Sequence, residues 1–499
     1  MTTTTTVALA TLAGLVTPVL AGHPTALIQT TGSGANASID GNAFGSIDRP
    51  TKNGTGSKFI VLTRVNGTSQ EALITGDATG INLVALEGVT ELEPGRTWGT
   101  IDRYADINEA GDWVHIANLN GGASNDDEAL VRGNFDGSTI TIALREGDTL
   151  PTGDTLGSAN YGPSIADNRD LSFGWSSPTS TSDISYYTQN GITAVLRNGD
   201  TISFGSFNGI FSTDGFGGRN AFQTTPDASS YVVRGTELVS EAQTLVKDDI
   251  AVLVAGDAIN TIGGLKTIEQ INGEQNILQA NGDWLTRVRF TDGTGGAIKN
   301  GQLLAASGDL VNGQFGPNER WSELPWTSSS DTTFFIVTGD SNGNVVLGGF
   351  TNILNQDVNA VWTYNGEEFL RSGDQIDLDA DGTLDDAFIF TSNFFSASQN
   401  LGGFLADDGL FYQVADIRNA AGDDLGEALI VAETPGFTGG PCSIADLAMP
   451  FDLIDIDDVD AFIAAFIAND PAADLAPAFG IIDIDDVDAF IAAFLAGCP

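Results

Sequence analysis

Histidine, cysteine and methionine are nearly missing from this chain: each occurs twice in 499 residues. With His23 and His115 the only imidazoles, a Ser-His-Asp or Cys-His device has almost nothing to draw on. A zinc site built from His and Cys cannot be assembled. Basic residues are scarce too. Twenty Lys+Arg stand against 66 Asp+Glu, a formal net charge of −46. That excludes sequence-independent binding to nucleic acid or to an anionic membrane, since both need clustered Lys and Arg. What is plentiful is glycine, 61 residues, in a Thr-rich chain that is 41% hydrophobic and only 17% charged. Such a composition supplies a core and favours strands and turns over long helices. The length suits about three domains, or one large β-domain with a small companion.

Residues 7–21 form an apolar run closing on Val19-Leu20-Ala21, a small-residue cleavage pattern. This reads as an export signal over 1–21, too short and too broken by Thr and Gly for a membrane span. Residues 1–6 lack the customary Lys or Arg, so a buried first strand stays open as the alternative.

Between residues 25 and 433 one phrase recurs: strand, turn, strand, then an apolar strand closing on Gly-Asp. Its clearest copies are Leu144-Arg145-Glu146-Gly147-Asp148 and Leu196-Arg197-Asn198-Gly199-Asp200. Weaker copies end at Asp257, Asp309 and Asp374, and an early one, Ala85-Leu86-Glu87-Gly88, lacks the Asp. The glycines stand at 88, 147, 199, 256, 308 and 373. Other phrases keep the period: Glu71-Ala72-Leu73-Ile74 returns at Glu128, and Gly111-Asp112-Trp113 returns at Gly282. Alternation such as Thr139-Ile140-Thr141-Ile142 is strand-like. A period of about 57 with several short strands per unit predicts radial four-stranded blades, about seven between 25 and 433. A β-solenoid prefers shorter periods and tandem sandwiches longer ones.

The pattern around Asp106-Ile107-Asn108-Glu109-Ala110-Gly111-Asp112-Trp113-Val114, with the Glu-Ala-Leu and Leu-Arg-Glu-Gly-Asp phrases, resembles tandem-repeat β-propellers of bacterial secreted proteins that carry C-terminal anchoring modules. The resemblance implies an architecture and a location, and no reaction. Within it, Asp377-Leu378-Asp379-Ala380-Asp381-Gly382-Thr383-Leu384-Asp385 sets carboxylates at loop positions 1, 3, 5 and 9, with the Thr383 carbonyl at 7, a hard-oxygen shell suited to Ca²⁺. Position 12 is Phe388, so this is no EF-hand. The run is similar to the calcium loops of integrin-type propellers. A solvated acidic turn is the plainer reading.

Residues 434–441 are a breaker-rich linker. Beyond it, the twelve residues from Asp455 to Phe466 return identically from Asp483 to Phe494. Each copy spaces its apolar residues as a helix does, Val459, Phe462, Ile463, Phe466, Ile467 in the first, with aspartates at the front suited to the helix dipole. Asp457 and Asp485 are candidate N-caps. This duplicated loop–helix unit, 442–499, resembles a dockerin of the kind bracketed by Cys near its start and Gly-Cys at its end, here Cys442 and Cys498. The resemblance implies docking to a partner protein or a cell surface. It also implies a Cys442–Cys498 bond, which would restrict the unfolded chain by about 4 kcal/mol and suit an oxidising destination. Asp446, Asp457, Asp474 and Asp485 fall at the first and last positions of the family's calcium loops. Positions 3, 5 and 9 are Ala448, Pro450 and Ile454, then Ala476, Ala478 and Ile482, where oxygen ligands should stand. A self-contained helical cap is the plainer reading.

No residue pattern singles out a catalytic pair. Acid pairs for glycoside hydrolysis are too numerous to choose among. The glycines at 215, 217 and 218 read as turn glycines, without a helix after them. Trp98, Trp113, Trp284 and Trp362 suit blade packing or stacking on sugars. The sequence therefore points to an exported, noncatalytic, calcium-stabilised propeller that binds outside the cell, tethered by its C-terminal module and open to a glycan ligand. The alternative is a propeller hydrolase or lyase acting on polysaccharide through paired carboxylates. Raised-pKa acids at the central channel would favour the second, and an uncharged mouth the first.

Overall fold

The computed structural model describes residues 24–437 apart from short breaks, the longest at 177–183, 213–221, 324–332 and 391–401, and beyond 437 two helices with residues 445, 473, 475 and 482. Among the described residues the strands form seven antiparallel-dominated sheets. In chain order they occupy 38–86, 91–145, 159–197, 201–254, 258–306, 334–371 and 375–433. Each sheet packs on the next, and the seventh packs on the first. The body is a seven-bladed β-propeller. Its sheets carry four to six strands, more than the plain four expected, because hairpins such as Glu91–Glu93 with the start of Arg96–Ile107 lead into several blades.

The seventh blade is shared between the two ends of the body. The strand Thr25–Gln29 lies antiparallel on Asp424–Glu433, from Thr25 opposite Val431 to Gln29 opposite Ala428. Ala26 and Ile28 are buried there.

The recurring Gly-Asp phrase has the same physical cause in the copies ending at Asp148, Asp257, Asp309 and Asp374. The Asp carboxylate accepts the N–H three residues back: Arg145 N to Asp148 Oδ2 at 2.9 Å, Val254 N to Asp257 Oδ2 at 2.9 Å, Ala306 N to Asp309 Oδ2 at 2.8 Å and Arg371 N to Asp374 Oδ2 at 2.7 Å. In the copy lacking Asp, the Thr90 hydroxyl takes its place, accepting from Leu86 N at 2.8 Å. The glycines adopt φ between 72° and 104°, a region hostile to side chains. Their N–H groups then donate to the following blade or to the segment leading into it, as Gly373 does to Ile389 O and Gly147 to Leu156 O.

The Glu-Ala-Leu phrase is a latch between blades. Glu71 Oε2 accepts from Ile101 N at 2.8 Å on the next innermost strand. Gln243 Oε1 does so from Ile271 N at 2.7 Å, and Glu427 Oε2 from Ile47 N at 2.7 Å across the ring closure. The tryptophans Trp98, Trp113, Trp284 and Trp362 are all buried between blades. They are packing residues, unavailable to a sugar face.

The C-terminal helices, α1 (Ile456–Ala468) and α2 (Ile484–Ala496), meet through Phe462 and Phe490, whose rings stack at 4.3 Å. Val459, Phe466, Val487 and Phe494 flank that contact. Ile463, Ile467, Ile491 and Leu495 stay exposed, so each apolar stripe divides into a packed half and an open half. Asp457 and Asp485 are the second residues of their helices, inside the first turn and not at the cap.

Candidate functional site

Seven equivalent turns join the innermost strand of each blade to its neighbour, and together they rim one mouth of the central channel. Each closes the same way: Asn108 N to Asp112 O at 2.9 Å, Gln279 N to Asp283 O at 2.8 Å, Ala406 N to Leu410 O at 2.8 Å. Glycines 111, 282, 343 and 409 take the left-handed position these turns require. The Gly-Asp-Trp phrase is thus one side of a channel-mouth turn.

The turns bond to one another around the rim. Thr55 N donates to Glu109 Oε1 at 2.6 Å, Glu109 N to Asp167 Oδ1 at 3.0 Å, and Asp167 N to Pro226 O at 2.7 Å. Asn281 Nδ2 donates to Ser341 O at 2.9 Å, Ser341 N to Asp407 Oδ1 at 2.8 Å, and Asp407 N to Thr55 O at 2.6 Å. Arg169 adds a two-pronged ion pair to Asp112 on the preceding blade.

Behind the rim lies a small cleft of about 50 Å³, lined by Lys52, Asp106, Ser164, Thr224 and other residues of the innermost strands and rim turns of the first five blades. Asp106 Oδ2 accepts from Ser164 Oγ at 2.7 Å and Ile165 N at 3.0 Å, and Ser164 Oγ lies 2.9 Å from Thr224 Oγ1. Burial pushes the Asp106 carboxyl up to about 6, against the stabilising pull of those bonds. Lys52 Nζ donates to Gly339 O and Leu405 O, both at 2.8 Å, spanning blades six and seven. Burial pulls the Lys52 ammonium down to about 8, although Asp407, Asp340, Glu109 and Asp408 oppose it. Neither Lys52 nor Asp106 was singled out by sequence. The partners of Asp106 are 58 and 59 residues away, and only the repeat period, applied to polar positions, would have aligned Asp106 with Ser164.

His115 is fully buried, its ring 5.3 Å from that of Trp98, and so is a core residue of the second blade. Of the calcium run, Asp377, Leu378, Asp379 and Leu384 are described, while Asp381, Thr383 and Asp385 lie outside the described residues. Asp377 is buried and bonded through its backbone to the strand Thr25–Gln29. Asp446, Asp474, Cys442 and Cys498, residues 1–21 and the glycines 215–218 also lie outside the described residues, as do the side chains of Asp457 and Asp485.

No family model matches the chain, and no curated protein matches it in sequence. Similar solved structures are β-propeller proteins. The propeller domain of the trilobed protease from Pyrococcus furiosus aligns at TM-score 0.35 and 8% identity, over 78% of this chain and 95% of that one. The polysaccharide lyase Uly1 aligns at 0.36 and 10%, over 83% and 100%. TolB from Acinetobacter baumannii aligns at 0.28 and 10%, over 57% and 63%. The chain thus spans under two thirds of TolB, and it spans 52% of a puromycin hydrolase that aligns at 0.34 and 12% over 76% of this chain. The propeller assignment rests on strand order and ring closure.

Proposed function

We propose that this chain is a noncatalytic interaction propeller that works outside the cell, binding a protein or glycan partner at the turn-lined mouth. The observation that supports it is the use made of the rim's polar groups. Glu109, Asp167 and Asp407 spend their carboxylates on neighbouring turns, and Lys52 is held by two carbonyls. Such groups preorganise a rigid, acidic docking face. In this reading residues 1–21 direct export, Ca²⁺ occupies the 377–385 run and stiffens the last blade junction, and the 442–499 module, closed by Cys442–Cys498, docks to a partner protein or to the cell surface. The second reading, a hydrolase or lyase on polysaccharide, is favoured by one feature, the half-buried, proton-avid Asp106 on the channel wall.

A single experiment separates the two. Residues 25–433 are screened against glycan and protein arrays, and the same protein is incubated with a polysaccharide panel while new reducing ends and unsaturated products are measured. Saturable binding without product supports the interaction reading. Turnover that disappears in Asp106→Asn overturns it.

A further inference from the structure

At the junction of blades five and six, two positions depart from their equivalents in the other repeats. The first follows the Gly-Asp turn. The residue after the Asp is exposed in the other copies, at Thr149, Thr201, Ala258 and Gln375, and the next one turns inward, as Leu150, Ile202 and Ile376 do. The copy after blade five turns inward at Val311 in the same way, but it puts Leu310 at the outward position, 54% exposed. The second is the bulge of the outermost strand. Val84 in blade one, Leu304 in blade five and Phe369 in blade six are each the extra residue of that strand against its neighbour. Val84 and Phe369 are buried, and Phe369 meets Phe411 of the next blade edge-on, with ring centroids 5.6 Å apart. Leu304 is 39% exposed.

Both leucines stand on the wall of a cleft of about 470 Å³, with Trp321, Val345 and Leu347. Its size is that of a ligand site, and it reaches the rim turn of blade six at Gly343. Trp321, the one aromatic residue on the wall, is buried against Phe334, so no open ring face is offered to a sugar. Lys299, the one basic residue on the wall, is already spent: its Nζ pairs with Asp283 at 2.9 Å and donates to Gly343 O at 2.9 Å. Arg320, bridged to Leu310, turns its guanidinium to Gly308 O. Asp309 lines the cleft too, and the whole chain carries −46. A second copy of this chain, or its own acidic helices, would be repelled, whereas a cationic segment is drawn in. We propose that this cleft docks a basic peptide segment of a partner protein, an apolar side chain entering between Leu304 and Leu310 while flanking Lys or Arg residues answer the acidic surround. Burial of the two leucines supplies affinity, and charge supplies the approach. The cleft lies apart from the channel, so its use does not depend on how the mouth is read.

Short random peptides displayed on phage, selected on the full native chain and counter-selected on Leu304→Phe, test this. Leu304→Phe brings the bulge residue of blade six into blade five and fills the cleft. Leu310→Thr brings in the residue that follows Asp148 and Asp200. Both variants borrow from sister repeats, and thermal unfolding checks that the ring is intact. Selected peptides should carry an apolar residue between Lys or Arg. By fluorescence anisotropy they should bind Leu310→Thr about tenfold more weakly than the native chain. They should bind Val239→Thr, which removes an exposed apolar side chain from blade four, as tightly as the native chain. The proposal is overturned if no peptide distinguishes the native chain from Leu304→Phe, if Leu310→Thr binds as the native chain does, or if the selected peptides lack basic residues. It also falls if Leu304→Phe abolishes binding of a glycan, or abolishes self-association of the native chain in sedimentation, since the occupant is then a sugar or a second copy. None of these outcomes touches the channel mouth, where the interaction reading stands or falls on its own arrays.

Discussion

At the scale of single residues, the buried ions divide by how fully they are surrounded. Arg371 is 1% exposed at its side chain and pairs with Glu319, 0% exposed, and with Glu368. It also donates to Val358 O, and Phe315 covers its guanidinium at 4.7 Å. Removing it strands two acids in the interior. Arg371→Met should cost about 3–5 kcal/mol in urea denaturation, and adding Glu319→Leu should return much of that, because the loss is mainly uncompensated charge. The equivalent Arg145 pairs with Glu93, which is 31% exposed, and Arg145→Met should cost about 1 kcal/mol or less. Equal losses at both sites would contradict the burial argument. Asp106 makes a pH prediction. Its native pKa is raised to about 6 from 3.8, so the native state binds the proton more tightly than the unfolded chain. The stability this contributes is whole below about pH 4 and is lost as pH rises through 6. Asp106→Asn keeps an acceptor for Ser164 and Ile165 without the partly desolvated charge. Its melting temperature should exceed that of the native protein at pH 8 and match it near pH 4, as scanning fluorimetry would read. A lower melting temperature at pH 8 would mean the carboxylate is held by a cation.

At the scale of the element, the Gly-Asp turn carries a testable division between conformation and space. Gly256 has φ of 104° with open space where a Cβ would stand, whereas a Cβ at Gly373 would come within 3.0 Å of Asp357 O. Gly256→Ala should therefore cost about 1–2 kcal/mol, the backbone penalty alone, and Gly373→Ala clearly more, compared by thermal unfolding. These turns were legible because their chemistry is local: the Asp carboxylate and the N–H it accepts are three residues apart. The blade count followed from their spacing. The duplicated helices were equally legible, since Val459 and Phe462 declare one face within a single turn. The channel was not. Asp106, Ser164 and Thr224 lie on three different blades, and a polar residue facing a channel has the same local pattern as one facing solvent. Nor does any composition or period reveal that Thr25–Gln29 is the partner of Asp424–Glu433, because that pairing joins segments about 400 residues apart.

At the scale of the whole molecule, charge is distributed as unevenly as contacts are. All 20 Lys+Arg precede residue 419, while 12 of the 66 acids lie in 442–499, leaving the rest of the chain at 20 − 54 = −34 and the helical segment at −12. The body places its few cations where they tie acids together, as in Arg96 with Asp126, Lys266 with Asp292 and Lys299 with Asp283. Most acids nevertheless have no basic residue to pair with, so the native ring carries a self-repulsion that its contacts must outweigh. Monovalent salt screens such repulsion over about 10 Å at 0.1 M. Melting temperature should therefore rise steadily as NaCl goes from 10 to about 300 mM, the reverse of a protein held by surface ion pairs. On the calcium reading proposed above, calcium at concentrations too low to alter ionic strength should add a separate increment on top of the salt effect, since a single-site ion binds by mass action. Differential scanning calorimetry with NaCl and calcium varied independently resolves the two. A melting temperature that falls with NaCl would show that the scattered ion pairs outweigh the net charge. A calcium increment that vanishes at high NaCl would show that calcium merely screens, and that no dedicated site holds it.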